Sequence, residues 1–233
     1  MVLAGTDLPK DSEAHELASE LGLYVTQHHC APMDGEMFLR AYPEREPSFD
    51  LYEEAFCRLW EEGVISNKNK QVVWVLGFRG QGDIPFWHND SKYDTDESRG
   101  ALISTIIEKQ YAILKKHVDN PTCCVYLYQE TMALYNEGYL SFRDDFIKIW
   151  SDNGYGVMKT RRHAQWDPRI ASLPDKVKGV NRDGVYYHVA FHDLEASNHL
   201  TLMAIEPNLI VEELDKVRET GQLDFILINT ANI

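Results

Sequence analysis

The chain has 233 residues, 44% hydrophobic and 26% charged, enough for one globular domain with a sizeable core. Its net charge is −14, with Asp and Glu spread along the length rather than gathered in a tail. Such an acidic surface argues against nucleic acid or an anionic membrane as the main partner, although a local Arg/His pocket can still take an anionic small substrate.

The first residues, Met1 to Ala4, read as a short strand stopped by Gly5. Asp11 and Ser12 offer caps for a helix running through Leu17 and Leu21 and closed by Gly22. Leu23 to Thr26 reads as a second strand, ending in Gln27-His28-His29-Cys30-Ala31-Pro32. From Leu51 to Gly63, apolar Leu51, Ala55, Leu59 and Trp60 alternate with acids, which predicts an amphipathic helix ended by glycine. Val72 to Leu76 with Phe78 is β-branched and aromatic and reads as a buried strand. It breaks into Arg79-Gly80-Gln81-Gly82-Asp83-Ile84-Pro85, a loop with one cation and one carboxylate four residues apart.

Residues Ser98 to Val118 keep a 3.6 period through Leu102, Ile103, Ile106, Ile107, Gln110, Tyr111 and Leu114, which predicts a helix. Cys123 to Tyr128 is a strand, and Glu130 opens a short helix to Gly138. Phe146 to Trp150 is a strand that runs into Ser151-Asp152-Asn153-Gly154. Val157 to Asp183 reads as a long loop, a feature usually tied to function in compact domains. Val185 to Phe191 is a strand containing His188, with His192-Asp193 just beyond. Pro207 to Thr220 is a helix and Phe225 to Ile228 a last strand.

Strand and helix alternate throughout, which predicts parallel βαβ units in a barrel or an open doubly wound sheet. About seven strands are expected. A closed (β/α)8 barrel needs eight and about 250 residues. The expected fold is therefore α/β, a TIM-barrel-like arrangement without its first strand and last helix, with residues 1–233 as a single partial domain.

Polar residues close most of these strands: His28 and His29, Arg79 and Asp83, Glu130, Asp152 and Asn153, and His188 with His192. In a barrel such tips share one rim, where the loops hold the chemistry. Each has a plainer reading. Arg79 and Asp83 can simply pin their loop. Adjacent strand residues face opposite ways, so at most one of His28 and His29 would reach a pocket. Glu130 can serve as a helix N-terminal acid, and Asn153 before Gly154 suits turn chemistry. His188 in an apolar strand suits a hydrogen-bonded core histidine, and a strand is the wrong element for a metal pair at spacing four with His192.

The four cysteines, Cys30, Cys57, Cys123 and Cys124, fit no zinc spacing and read as buried free thiols. No apolar run reaches the ~18 residues of a membrane helix. No basic region followed by a long apolar stretch marks a signal peptide, and the cellular location stays unassigned. No Ser or Cys nucleophile elbow and no phosphate-binding glycine loop is present.

The stretches GLYVTQHHCAPM, VVWVLGFRGQGD, CCVYLYQETMALYNEGY, IKIWSDNGYG, and GVYYHVAFHD through SNHLT are, in this order, similar to those of glycoside hydrolase family 115, the xylan α-1,2-glucuronidases. The resemblance covers nearly the whole chain. It implies a barrel catalytic domain and inverting release of glucuronic acid, or its 4-O-methyl ether, from xylose. Glu130 and Asp83 would be the catalytic carboxylates, with Arg79, Asn153, His188 and His29 binding substrate. No metal or organic cofactor is implied. The implied partners are glucuronoxylan or aldouronic acid oligosaccharides, with no nucleic acid and no membrane, and the resemblance allows a homodimer of a full-length protein. Two departures accompany it. Ala31 stands where the family usually carries Glu, and the family's first barrel strand would lie upstream of Met1. The alternative expectation is a truncated, catalytically inactive relative that binds acidic sugars.

Overall fold

A computed structural model describes residues 2–5, 13–80, 84–128, 130–159, 171–173, 182–189, 205–221 and 225–229. The chain divides into two compact units, Met1–Val125 with Tyr139–Phe142, and Tyr126–Gly138 with Arg143–Ile233.

The first unit runs β1 (Val2–Gly5), α1 (Glu13–Glu20), β2 (Tyr24–Gln27), α2 (Phe38–Ala41), α3 (Phe49–Asn67), β3 (Val72–Leu76), α4 (Asp96–Lys115) and β4 (Thr122–Leu127), whose last two residues fall in the second unit. Strands β1 to β4 lie side by side in chain order and every pairing is parallel. All five residues of β3, VVWVL, are buried. A parallel strand covered on both faces reads as one apolar run, which is why this strand is visible in the sequence.

Helix α3 starts two residues before Leu51 and continues four past Gly63. Leu51 is 67% exposed, contrary to its expected place on the buried stripe. The buried face is Phe49, Ala55, Phe56, Leu59, Trp60 and Val64, with Phe49 taking the packing role at the start. Likewise Leu17 and Leu21 are exposed, while His15 and Ala18 are buried. Thr95 caps α4, its hydroxyl accepting from Ser98 N at 3.2 Å, and Asp96 and Glu97 stand at the positive end of the helix dipole.

The second unit runs α5 (Glu130–Asn136), β5 (Ile147–Ser151), β6 (Asp183–His188), α6 (Pro207–Glu219) and β7 (Phe225–Asn229). Strands β5, β6 and β7 are neighbours in that order, again parallel. Met158, Val185, Tyr187 and Val217 form its core, with Leu173, Ile210 and Leu214 packed against them. Glu213 of α6 is buried and its carboxylate accepts from Met158 N at 2.8 Å, tying the segment after β5 to the helix.

Two boundaries differ from expectation. β6 begins at Asp183, inside the expected 157–183 loop, because that carboxylate is buried and accepts from Trp150 Nε1 at 2.8 Å. Lys159 and Ala171 form an antiparallel bridge in the same stretch. The strand expected to run to Phe191 is described only to His188, and His192 lies outside the described residues. Side chains are described for six strands, β2 to β7, against about seven expected; of β1 only the backbone is described. The order of parallel strands and helices is that of an α/β fold.

None of the four cysteines is in a disulfide; Cys30, Cys123 and Cys124 are buried as expected, and Cys57 is half-buried. Among the described residues no helix is long and apolar enough to cross a membrane.

Candidate active site

In the first unit, β2 delivers the histidine pair. His28 and His29 lie past the strand end, in a turn closed by Ala31 N donating to His28 O at 3.0 Å. The alternation expected for strand neighbours therefore does not hold: the two rings stand 3.8 Å apart with 35° between their planes. Cys30 N donates to His28 Nδ1 at 3.3 Å, so that nitrogen is the acceptor of the ring. One ligand atom from each of His28, His29 and Cys30 can be chosen so that all lie within 4.8 Å of one another.

The chain then turns through Pro32–Asp34, where Met33 and Asp34 take left-handed φ values of 58° and 56°. Two such residues cost about 1–3 kcal/mol each, and helix α3 holds them in place. Asn67 Nδ2 donates to Asp34 Oδ2 at 2.5 Å and to Gly63 O at 3.1 Å.

β3 delivers Arg79. Phe78 is buried among Phe56, Trp60 and Phe86, with ring centroids 5.4, 6.4 and 5.3 Å away. Such aromatic pairs add about 0.5–1.5 kcal/mol each beyond burial. With Phe78 anchored, Arg79 leaves the strand end at only 9% exposure. Its carbonyl accepts from Phe86 N at 2.5 Å, which closes the loop. Gly80 makes the closure feasible: a Cβ there would sit 1.9 Å from Ile84 O, and its φ of 156° disfavours other residues. Cys30, Glu36, Phe78, Arg79 and Gly80 are among the residues around a cavity of about 20 Å³. That is room for about one water. Asp83 lies outside the described residues.

In the second unit, Glu130 opens α5 and is buried at 7% exposure. Thr131 fixes the strand-to-helix turn beside it. Its hydroxyl accepts from Tyr128 N at 2.8 Å and reaches the carbonyls of Tyr126 and Tyr128 at 3.1 and 2.8 Å. Sequence reasoning did not single out Thr131.

Asp152 and His188 meet at the ends of β5 and β6, Oδ1 to Nδ1 at 2.5 Å, with both side chains buried. The carboxylate's other oxygen accepts from Gly156 N at 2.6 Å. A carboxylate on Nδ1 places the ring proton there and makes Nε2 the outward nitrogen. The Tyr186 ring stands 4.6 Å from the imidazole, and its hydroxyl accepts from Asn229 Nδ2 at 2.6 Å. Asn153 uses its carbonyl oxygen locally, accepting from Tyr155 N at 3.0 Å and Val157 N at 3.3 Å. The turn reading of Asn153 therefore holds for its oxygen, and its amide nitrogen is the atom left to contact a ligand. Burial, and then the carboxylates of Asp152 and Glu213, push the Tyr187 phenol above its ordinary range. It stays protonated and donates to Gly156 O at 2.7 Å.

In the first unit Arg79 is a guanidinium of the kind that takes a carboxylate through two bonds, and in the second Glu130 is a buried carboxyl of the kind that can move a proton. Among solved structures, the chain is similar to a family GH115 4-O-methyl-alpha-glucuronidase with specificity for decorated arabinogalactans. The TM-score is 0.73 and the identity 22%, over 93% of this chain and 27% of that one. At that identity the likeness shows a shared fold, and this chain spans about a quarter of that protein's length. No curated protein matches the sequence. The sequence matches the profile of Glycosyl hydrolase family 115 over residues 3–233, nearly its whole length, and the chain belongs to that family.

Proposed function

We propose that this chain is the partial (β/α)8 catalytic domain of an inverting glycoside hydrolase that releases glucuronic acid, or its 4-O-methyl ether, from α-1,2-linked side chains on xylan. The observation that carries the reading is the family match over residues 3–233. Glucuronoxylan and aldouronic acids are the first substrates to test. The solved relative's specificity for decorated arabinogalactans makes those the second.

In this mechanism Glu130 is the general acid and Asp83 the general base. Asp83 takes a proton from water as the water oxygen attacks the anomeric carbon. The glycosidic bond breaks, and Glu130 gives its proton to the leaving oxygen. Arg79 offers a two-pronged match to the uronate carboxylate. His188, oriented by Asp152, presents Nε2 to the carboxylate or a ring hydroxyl. Asn153 contributes its amide N–H, and His29 a further hydroxyl contact.

The test is glucuronic acid release from an aldouronic acid, with the first-formed anomer read by proton NMR. Inversion yields the anomer opposite to the substrate's linkage; the same anomer would refute inversion. Ala31 favours a second reading, since methyl replaces the carboxylate usual at that position. On that reading the chain binds glucuronate without turning over any substrate.

A further inference from the structure

We infer that Gln110, on α4, is a positioning residue for Arg79, acting through the backbone of Gly77. This rests on the proposed role of Arg79 in holding the uronate carboxylate. Strand pairing between β3 and β4 ends at Leu76 and Val125. At the next residue a side chain replaces the strand partner. Gly77 N donates to Gln110 Oε1 at 2.8 Å, and Gln110 Nε2 donates to Gly77 O at 2.9 Å. A carboxamide carries one acceptor and one donor side by side, the complement of one residue's N–H and C=O. Rotating the amide by half a turn would oppose donor to donor and acceptor to acceptor, so its orientation is fixed.

The setting makes the choice of residue informative. Gln110 is fully buried, on the helix face that also carries Ile103, Ile106, Ile107, Ile113 and Leu114. A buried amide is costly unless it is hydrogen-bonded, so an apolar residue would serve packing alone better. What the amide adds is a grip on Gly77, two residues before Arg79. Phe78 between them is seated in the aromatic cluster, and Phe86 N holds the Arg79 carbonyl from the far side. The guanidinium thus starts from a backbone clamped before and after it. Side-chain reach multiplies small backbone shifts, which is how a residue out of contact with substrate can govern binding.

The experiment is a double-mutant cycle on the whole chain: wild type, Gln110→Leu, Arg79→Met and the double variant. Glucuronate binding is read by calorimetry and folding by near-UV circular dichroism. Gln110→Leu should weaken binding about tenfold in the wild-type background and have no further effect beside Arg79→Met. Unchanged binding by Gln110→Leu, or an equal loss in both backgrounds, overturns the inference. If Arg79→Met binds normally, the reading of Arg79 fails instead. The clamp is then judged separately by amide exchange at Gly77, which should speed up about a hundredfold in Gln110→Leu and, if unchanged, refutes it. Gln110→Asn keeps the amide but withdraws it by one methylene. It should show the same pattern at smaller size, and it serves where leucine prevents folding.

Discussion

Asp152 and His188, 36 residues apart in the chain, share one buried contact of 2.5 Å between a carboxylate oxygen and Nδ1. With its second oxygen on Gly156 N, Asp152 links the imidazole to the turn after β5. Removing one partner of a buried pair leaves the other without compensation and costs about 3–5 kcal/mol. Asp152→Ala should therefore lower stability by about that much in urea. Asp152→Asn keeps the shape and one acceptor but removes the charge. It should cost less stability while lowering uronate affinity about tenfold, with the His188 ring shifting its tautomer by nitrogen NMR. Normal affinity in Asp152→Asn would remove His188 orientation from the account.

Tyr187 gives a pH prediction. Burial and two nearby carboxylates raise its phenol above the unfolded value of about 10. A group raised on folding contributes stability that is complete below the unfolded pKa and lost as pH climbs through the folded one. Stability should fall as pH rises above about 10, because the unfolded chain then releases the proton first. Tyr187→Phe loses the bond to Gly156 O, about 1 kcal/mol at neutral pH, and should flatten the alkaline fall. An alkaline slope in urea unfolding that matches wild type would assign the effect to other groups.

Gly63 is a case where two effects have opposite signs. Gly to Ala inside a helix normally stabilises by about 1 kcal/mol. Here the added Cβ would lie 2.4 Å from Met33 O and 2.6 Å from Asp34 O, both backbone atoms. That clash outweighs propensity, since the turn it pushes already carries two left-handed residues. Gly63→Ala should destabilise by about 2 kcal/mol or more. It should also disturb the paired rings of His28 and His29, five and four residues before Met33, which their ring NMR signals would report. A stabilised variant would show that the turn yields easily.

Much of this was legible in the sequence, and the failures share a cause. Runs such as VVWVL and the period of α4 announce their elements because burial alone sets them. Asp183 hides the start of β6, since hydropathy cannot know that Trp150 will satisfy a buried carboxylate. His28 and His29 read as strand neighbours until the turn at Ala31 overrides the alternation. Gln110 reads as one more residue on an apolar face, and Thr131 as a helix residue. Their roles depend on partners that only folding supplies. Polar residues at strand ends stand out in a sequence because a strand that stops in charge or amide is unusual on local grounds. The Asp152–His188 pairing does not, because nothing in a single sequence couples positions so far apart.

The last prediction concerns catalysis. If Glu130 is the acid and Asp83 the base, their carboxyls should stand roughly 6.5–9.5 Å apart with substrate bound, leaving room for the attacking water; about 5 Å would instead imply retention. Glu130→Gln preserves shape and burial but has no proton to give. Turnover of an aldouronic acid should fall about a thousandfold while glucuronate binding persists. Asp83→Asn should lower turnover similarly, because the water loses its base. Azide, a nucleophile that needs no deprotonation, should restore part of the rate in Asp83→Asn and none in Glu130→Gln unless the leaving group is activated. An aryl glucuronide with an acidic phenol should show the reverse pattern, since its leaving group needs no acid. Arg79→Lys should chiefly raise KM, because a point charge cannot reproduce the guanidinium fork. Near-normal turnover in both carboxylate variants would move the chemistry to other residues, with the Asp152–His188 pair first among them.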